Sequence, residues 1–227
     1  MSKSGNRWLT RLGESHHHTI VRLRILGAHN LESRDTRCTA LLIDNRLAID
    51  AGSLTSSLSF DEQADLQALI ITHRHMDHVR DLPGLGLFLR THGGSVAVYS
   101  TPETAEAVRE HLLNGVLYPR LYEAHDAMPP LELRTMGAGV PFEAGGCTVL
   151  PLRSSHVEGT VGLRITDAHG TSAYFTSDTG PYPEETRSQL EGVSTIITEI
   201  TMSSKHEAVA IDSGHMTPYL LQTELEG

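Results

Sequence analysis

The sequence predicts a single α/β domain built around a large β-sheet. Short apolar runs rich in β-branched residues alternate with stretches that open on helix-start residues. Neither an internal repeat nor a Ser/Gly-rich linker divides the chain. With 227 residues, 39% of them hydrophobic, one sizeable core is expected rather than two small ones.

The runs place strands over Ile20–Leu26, Ala40–Ile43, Arg46–Asp50, Leu69–Thr72, Ser95–Tyr99, Leu131–Thr135, Cys147–Leu152, Val161–Thr166, Thr171–Thr176 and Val193–Thr198. Asp44-Asn45 falls between two of them and predicts a hairpin turn, as does Asp167–Gly170. Helices are announced by their first residues. Thr101-Pro102-Glu103 supplies an N-cap, a proline at the first position and an acid in the first turn, ahead of a helix to Leu113. Asp81 predicts a cap for a helix reaching Arg90, and Thr217-Pro218 opens Tyr219–Glu226. His111–Pro130 is the least regular stretch and reads either as a functional lid or as a plain surface connection.

Composition excludes several roles. A net charge of −10, with no Lys/Arg-rich tail, disfavours a protein that grips long nucleic acid by its phosphates. No apolar run approaches the ~20 residues that span a bilayer, so no membrane association is expected. The opening stretch MSKSGNRWLTRLGES is basic but has no apolar segment, so a flexible tail over 1–19 is expected, not a secretory signal. Within it, His16-His17-His18 is expected to lie outside any site. Cys38 and Cys147 make no disulfide framework, and a cytoplasmic protein is the expectation.

Histidine is the outlier, with 14 copies, and its placement points to chemistry. His73-Arg74-His75-Met76-Asp77-His78 follows directly on the apolar run Leu69–Thr72. Three imidazoles and a carboxylate in so short a loop supply the N and O donors that divalent zinc takes. The pattern then repeats at other strand ends. Cys147–Leu152 runs out into Ser154-Ser155-His156, Thr171–Thr176 into Ser177-Asp178-Thr179-Gly180, and Val193–Thr198 into Glu199. Each run thus delivers a metal-capable or acid–base group at its carboxyl end, where α/β sheets build their sites.

These motifs resemble the metallo-β-lactamase fold superfamily, from about Val21 to the end of the chain. The resemblance implies an αββα sandwich, two mixed β-sheets flanked by helices, filling 20–227. It also implies a ligand set. His73, His75 and His156 would bind one metal, Asp77 and His78 a second, and Asp178 would bridge them. Ile49-Asp50-Ala51-Gly52 is similar to the family's strand-end Asp-x-Gly; Asp50 then either orients a ligand histidine or is simply a turn carboxylate.

Within the superfamily the chain looks most like the class II cyclic-nucleotide phosphodiesterase and ribonuclease Z branch. The pointers are Asp50–Ser59 (DAGSLTSSLS), Tyr99–Glu103 (YSTPE), Ser177–Gly180 (SDTG) and Gly214–Pro218 (GHMTP). His215 matches the branch's proton-donating histidine. Glu199 matches an acid that orients it, or is a plain strand-end carboxylate. The branch places its last metal-two histidine on a further strand. No residue here matches that histidine, so either the domain lacks the family's C-terminal end, which is the expectation, or water or a partner subunit completes metal two; His206 is only a weak substitute.

Function follows as an expectation. Two divalent metals (zinc, with manganese as the other candidate), two aspartates and a hydroxide leave a core charge of about +1, suited to an anionic phosphodiester. The implied reaction is in-line attack by metal-activated hydroxide, with Asp77 and Asp178 in the metal core and His215 protonating the leaving oxygen. The expected substrate is a 3′,5′-cyclic nucleotide, opened to the nucleoside 5′-monophosphate, with Tyr118, Tyr122 or Phe142 as candidates to stack on the base. A ribonuclease Z-like RNA phosphodiesterase and a metal- and nucleotide-binding protein without turnover are the alternatives. A hydrolase of lactams or thioesters fits the Asp77-His78 pair less well. The resemblance further implies a homodimer.

Overall fold

Most of the apolar runs are strands in the computed structural model, which describes residues 22–124 and 128–226. The expected tail over 1–19, with His16-His17-His18, lies outside the described residues. Six strands form the first sheet, in the order β1 (Leu23–Gly27), β2 (Ala40–Ile43), β3 (Leu47–Ile49), β4 (Ala68–Ile70), β5 (Val96–Ser100) and β6 (Leu131–Thr135). Its first two pairings are antiparallel and the rest parallel. The second sheet has five strands: β7 (Phe142–Ala144), β8 (Cys147–Arg153), β9 (Val161–Thr166), β10 (Ser172–Phe175) and β11 (Thr195–Ile197). It is antiparallel except where β10 meets β11. Both sheets are therefore mixed.

Side-chain alternation explains why β2, β3 and β4 read as unbroken apolar runs. Leu41, Ile43, Leu47, Ile49, Ala68 and Ile70 point between the sheets, against Val149, Val161, Leu163 and Phe175. The intervening Leu42, Ala48 and Leu69 point the other way, onto helix α4 (Leu82–His92) through Leu82, Leu85 and Leu89. A strand buried on both faces has no polar face to alternate with. On the far side of the second sheet, helices α6 (Glu184–Arg187) and α8 (Pro218–Glu226) are joined by Arg187 and Glu224, 2.8 Å apart. Helix, sheet, sheet, helix is the resulting layer order, the αββα sandwich expected from the sequence.

Several local expectations needed revision. The Asp44-Asn45 hairpin is present, with both residues at positive φ (47° and 57°) as a two-residue turn of this hand demands. β7 was not foreseen. It is a short strand that returns into β8 through Gly145-Gly146, also at positive φ (57° and 86°). Helices α1 (Leu54–Ser57), α2 (Phe60–Ala64), α3 (Met76–Val79) and α7 (Glu207–Ser213), as well as α6, were likewise missed. The expected helix to Leu113 is α5 (Pro102–Ala107), followed by a wider π-type turn over Val108–Leu112. Asp81 does not cap α4. Its Oδ2 instead accepts from Thr55 N at 2.8 Å and Thr55 Oγ1 at 2.9 Å, securing the first turn of α1.

Candidate metal centre

Four loops leave the carboxyl ends of strands and meet at one edge of the sandwich. The first follows β4 and carries His73 and His75, then α3 with Asp77 and His78. His156 comes after β8, Asp178 after β10 and Glu199 after β11. Because α3 is a single turn, Asp77 and His78 project from consecutive helical positions, unlike the extended pair His73 and His75 before them.

Among the described residues, two groups of metal-capable side chains emerge. His73, His75, His156 and Asp178 offer donor atoms all within 4.8 Å of one another, and so do Asp77, His78 and Asp178. Asp178 belongs to both. Its Oδ2 lies 3.7 Å from His73 Nε2 and 3.8 Å from His156 Nε2, while Oδ1 lies 3.4 Å from His78 Nε2. One carboxylate therefore faces both groups, one oxygen to each.

The outer nitrogens of His78 and His156 are already committed. His78 Nδ1 contacts Asp50 Oδ2 at 2.7 Å, and His156 Nδ1 contacts the carbonyls of Ser213 and Gly214 at 3.1 and 3.0 Å. Those carboxylate and carbonyl partners only accept, so the protons sit on Nδ1 and the Nε2 lone pairs face inward. His73 Nε2 and His78 Nε2 are buried without any hydrogen-bond partner among the described residues. A buried bare nitrogen is costly unless something binds it. His156 Nε2 and His75 Nδ1, 3.1 Å apart, face each other in the same opening. The donor set fits divalent cations.

Electrostatics agree with that fit at the first donor group. Burial pushes His73, His75 and His156 below the usual imidazole value, which keeps them neutral and able to donate lone pairs. Burial works against the charged form of His78, but the carboxylates of Asp50 and Asp178 together outweigh it and raise His78. Burial likewise pushes Asp178 up, yet the neighbouring His78 prevails and holds its carboxyl well below the ordinary range. Asp77 is raised by burial.

A second pair sits at the rim. His215 Nδ1 lies 2.8 Å from Glu199 Oε1, and the His215 ring is 4.8 Å from that of His156, centroid to centroid. Glu199 is itself fixed, accepting from the backbone N–H of Thr179 at 3.0 Å and of Thr201 at 2.9 Å. Its carboxylate raises His215 above the usual value. A hollow of about 300 Å³ opens beside Asp77, Asp178 and Glu199, walled by Ile25, His29, Asn30 and Ile200 among others.

Not every expectation meets here. His206 is exposed at the start of α7 and joins neither group. Tyr118, Tyr122 and Phe142 do not line the hollow; Phe142 stacks on Tyr99 instead, with centroids 4.6 Å apart. Sequence reasoning also missed Thr72 and Ser177, whose hydroxyls lie 2.7 Å apart behind the histidines. Arg74 was passed over as well. Its Nη1 donates to Glu158 O at 2.7 Å and ties the first histidine loop to the one bearing His156.

Comparison with known proteins decides the family. Residues 41–225 match the family described as the beta-lactamase superfamily domain. The chain belongs to that family. Among solved structures, the superfamily fold is shared with the metallo-beta-lactamase fold protein YhfI from Bacillus subtilis. That likeness has a TM-score of 0.73 at 19% identity, over 88% of this chain and 79% of that one. Unliganded yeast PDE1 gives a TM-score of 0.74 at 13% identity, over 90% and 81% of the two chains. Sequence relatives include an uncharacterised protein of Mycobacterium tuberculosis, 29% identical over 49% of this chain and 41% of that protein. A ribonuclease Z of Bradyrhizobium diazoefficiens is 29% identical over 56% of this chain and 43% of its own length. The chain thus spans about two fifths of the length of these curated relatives. No helix among the described residues is long and apolar enough to cross a membrane.

Proposed function

We propose that this chain is a metal-dependent phosphodiesterase that opens 3′,5′-cyclic nucleotides to nucleoside 5′-monophosphates. The observation that carries the reading is Asp178, turned toward two donor groups at once and lying near the fixed His215–Glu199 pair. His73, His75 and His156 would hold one divalent cation, Asp77 and His78 the other, with Asp178 between them. Zinc suits these donors, and manganese is the other candidate. When bound, such ions acidify a water and offset charge on phosphoryl oxygens.

The chain's own residues supply the rest. Glu199 holds His215 by Nδ1, so the proton available for transfer is the one on Nε2. A leaving sugar oxygen needs that proton near neutral pH. Asp50 and the Ser213–Gly214 carbonyls keep His78 and His156 in the tautomer whose Nε2 is free. The hollow of about 300 Å³ suits a small ligand, and the net charge of −10 disfavours a long polyanion. Yeast PDE1 among the structural neighbours supports the same class.

A second reading is favoured by the ribonuclease Z relative: cleavage of an RNA phosphodiester at the same centre. A third, binding without turnover, is favoured by the second donor group, which has three residues where the first has four. One experiment separates the three. Zinc- or manganese-loaded protein is incubated with 3′,5′-cyclic purine and pyrimidine nucleotides and, in parallel, with precursor transfer RNA. Nucleoside 5′-monophosphates are expected. Intact cyclic nucleotides with cleaved RNA would overturn the proposal for the second reading, and nucleotide binding with no product would overturn it for the third. A homodimer belongs to the same proposal, and light scattering at twice the chain mass is the expected result.

A further inference from the structure

Behind the histidines lies a buried hydroxyl whose bonding capacity is fully used. Thr72 ends the run out of β4 and is 0% exposed. Its Oγ1 has three neighbours: the Asp50 carboxylate at 2.9 and 3.0 Å, Ser177 Oγ at 2.7 Å, and His73 Nδ1 at 3.2 Å. A hydroxyl carries one proton and two lone pairs. The Asp50 carboxylate only accepts, so the Thr72 proton goes there. Both lone pairs remain, one taking the Ser177 hydroxyl proton and the other the His73 Nδ1 proton. His73 is therefore held with Nε2 bare, pointing at Asp178.

The same carboxylate holds the other group. Asp50 Oδ1 accepts from Thr72 N at 2.9 Å, and Oδ2 accepts from His78 Nδ1 at 2.7 Å. His73 belongs to the first donor group and His78 to the second. One hydroxyl thus stands behind both outer nitrogens, touching His73 Nδ1 directly and His78 Nδ1 by way of Asp50. Backbone geometry locks the arrangement, since Asp50 and Ser177 both sit at positive φ (58° and 56°), a region side-chain-bearing residues adopt only under constraint.

We infer that Thr72 is a positioning residue common to both candidate metal positions, with Ser177 fixing its hydroxyl. The inference rests on the two-position reading of the site and needs no particular substrate. Zinc titration followed by calorimetry, with metal content per chain measured independently, tests it without turnover. Thr72→Val keeps the shape and deletes the hydroxyl; both binding steps are expected to weaken about 10- to 100-fold, the range found when groups behind a ligand are lost. Thr72→Ser restores the hydroxyl and is expected to regain most of the wild-type affinity at both steps.

A valine variant that binds like wild type, or that loses only one step, overturns the shared role. A serine variant as weak as the valine variant overturns it too, because packing rather than the hydroxyl would then matter. Should Thr72→Val fail to fold by circular dichroism, Ser177→Ala takes its place, with a smaller weakening expected at both steps and unchanged binding overturning the inference. Failure of the underlying reading looks different: wild-type protein itself would then bind fewer than two zinc ions.

Discussion

His78 Nδ1 and Asp50 Oδ2 lie 2.7 Å apart, and neither side chain is more than 1% exposed. The carboxylate uses both oxygens, one for His78 and the other for Thr72 N. Asp50→Asn keeps the shape but offers one oxygen, so either His78 or Thr72 N meets an amide donor. A buried donor left without an acceptor costs roughly 1–3 kcal/mol. We expect a lower melting temperature and zinc affinity reduced about 10- to 100-fold at the position that His78 serves. Equal affinity for Asp50→Asn and wild type in a zinc titration would remove Asp50 from the site.

The Asp50 pairing also marks the limit of what the sequence conveys. Candidate donors stood out because His73, His75, Asp77, His78, His156 and Asp178 are chemically distinctive and end apolar runs. Tertiary approach is another matter. Thr72 and Ser177 are ordinary strand-end residues in sequence, and only the meeting of the β4 and β10 loops brings their hydroxyls together. The fold shows the same divide. β2, β3 and β4 were legible because burial on both faces demands continuous apolar residues. α3 was hidden because Met76–Val79 spends its sequence on donors rather than on a periodic apolar face. Asp81 sits correctly for a cap by local rules, but Thr55 approaches from another element and takes its carboxylate.

His215 and Glu199 make a separable prediction. His215→Ala is expected to lower turnover of a cyclic nucleotide by about 10²- to 10⁴-fold, the usual range for a positioned proton donor. Metal content should not change. Parallel loss of metal and activity would instead make His215 a ligand or a structural residue.

Glu199→Gln tests the same pair through pH. The carboxylate raises His215, so the protonated imidazole persists to higher pH than an isolated one would. Removing the charge lowers that value. The alkaline limb of the pH–rate profile is then expected to move to lower pH, with a smaller loss at the acidic end. A profile that only drops in height, without moving, would show that Glu199 does not tune His215.

Asp178 distinguishes one shared centre from two independent ones. Its oxygens face both groups, whereas His156 belongs only to the first. Asp178→Asn is therefore expected to weaken both zinc-binding steps, while His156→Ala weakens one. Mass spectrometry under non-denaturing conditions counts the ions retained by each variant. Two tightly held ions in Asp178→Asn would rule out a bridging role.

Away from the site, α2 offers a test of stability against pH. Ser59 and Glu62 form a reciprocal cap: Glu62 N donates to Ser59 Oγ at 3.2 Å, and Ser59 N donates to Glu62 Oε2 at 2.9 Å. The Arg24 guanidinium hydrogen-bonds the same carboxylate and, with Ser59, lowers Glu62 from its ordinary 4.5. A depressed carboxyl stabilises the fold fully above the unfolded value, and the contribution is lost as pH falls through the lower folded value. Glu62 is about one-third exposed, so solvent screening keeps the ion-pair share below about 1 kcal/mol. Glu62→Gln is then expected to lower stability at pH 7 by up to about 1 kcal/mol, near 2–4 °C in melting temperature for a chain of this size. Urea titrations of both proteins at pH 7 and pH 3 measure the gap, which should close at the lower pH. A gap of equal size at both values would place the effect of Glu62 in packing rather than in charge.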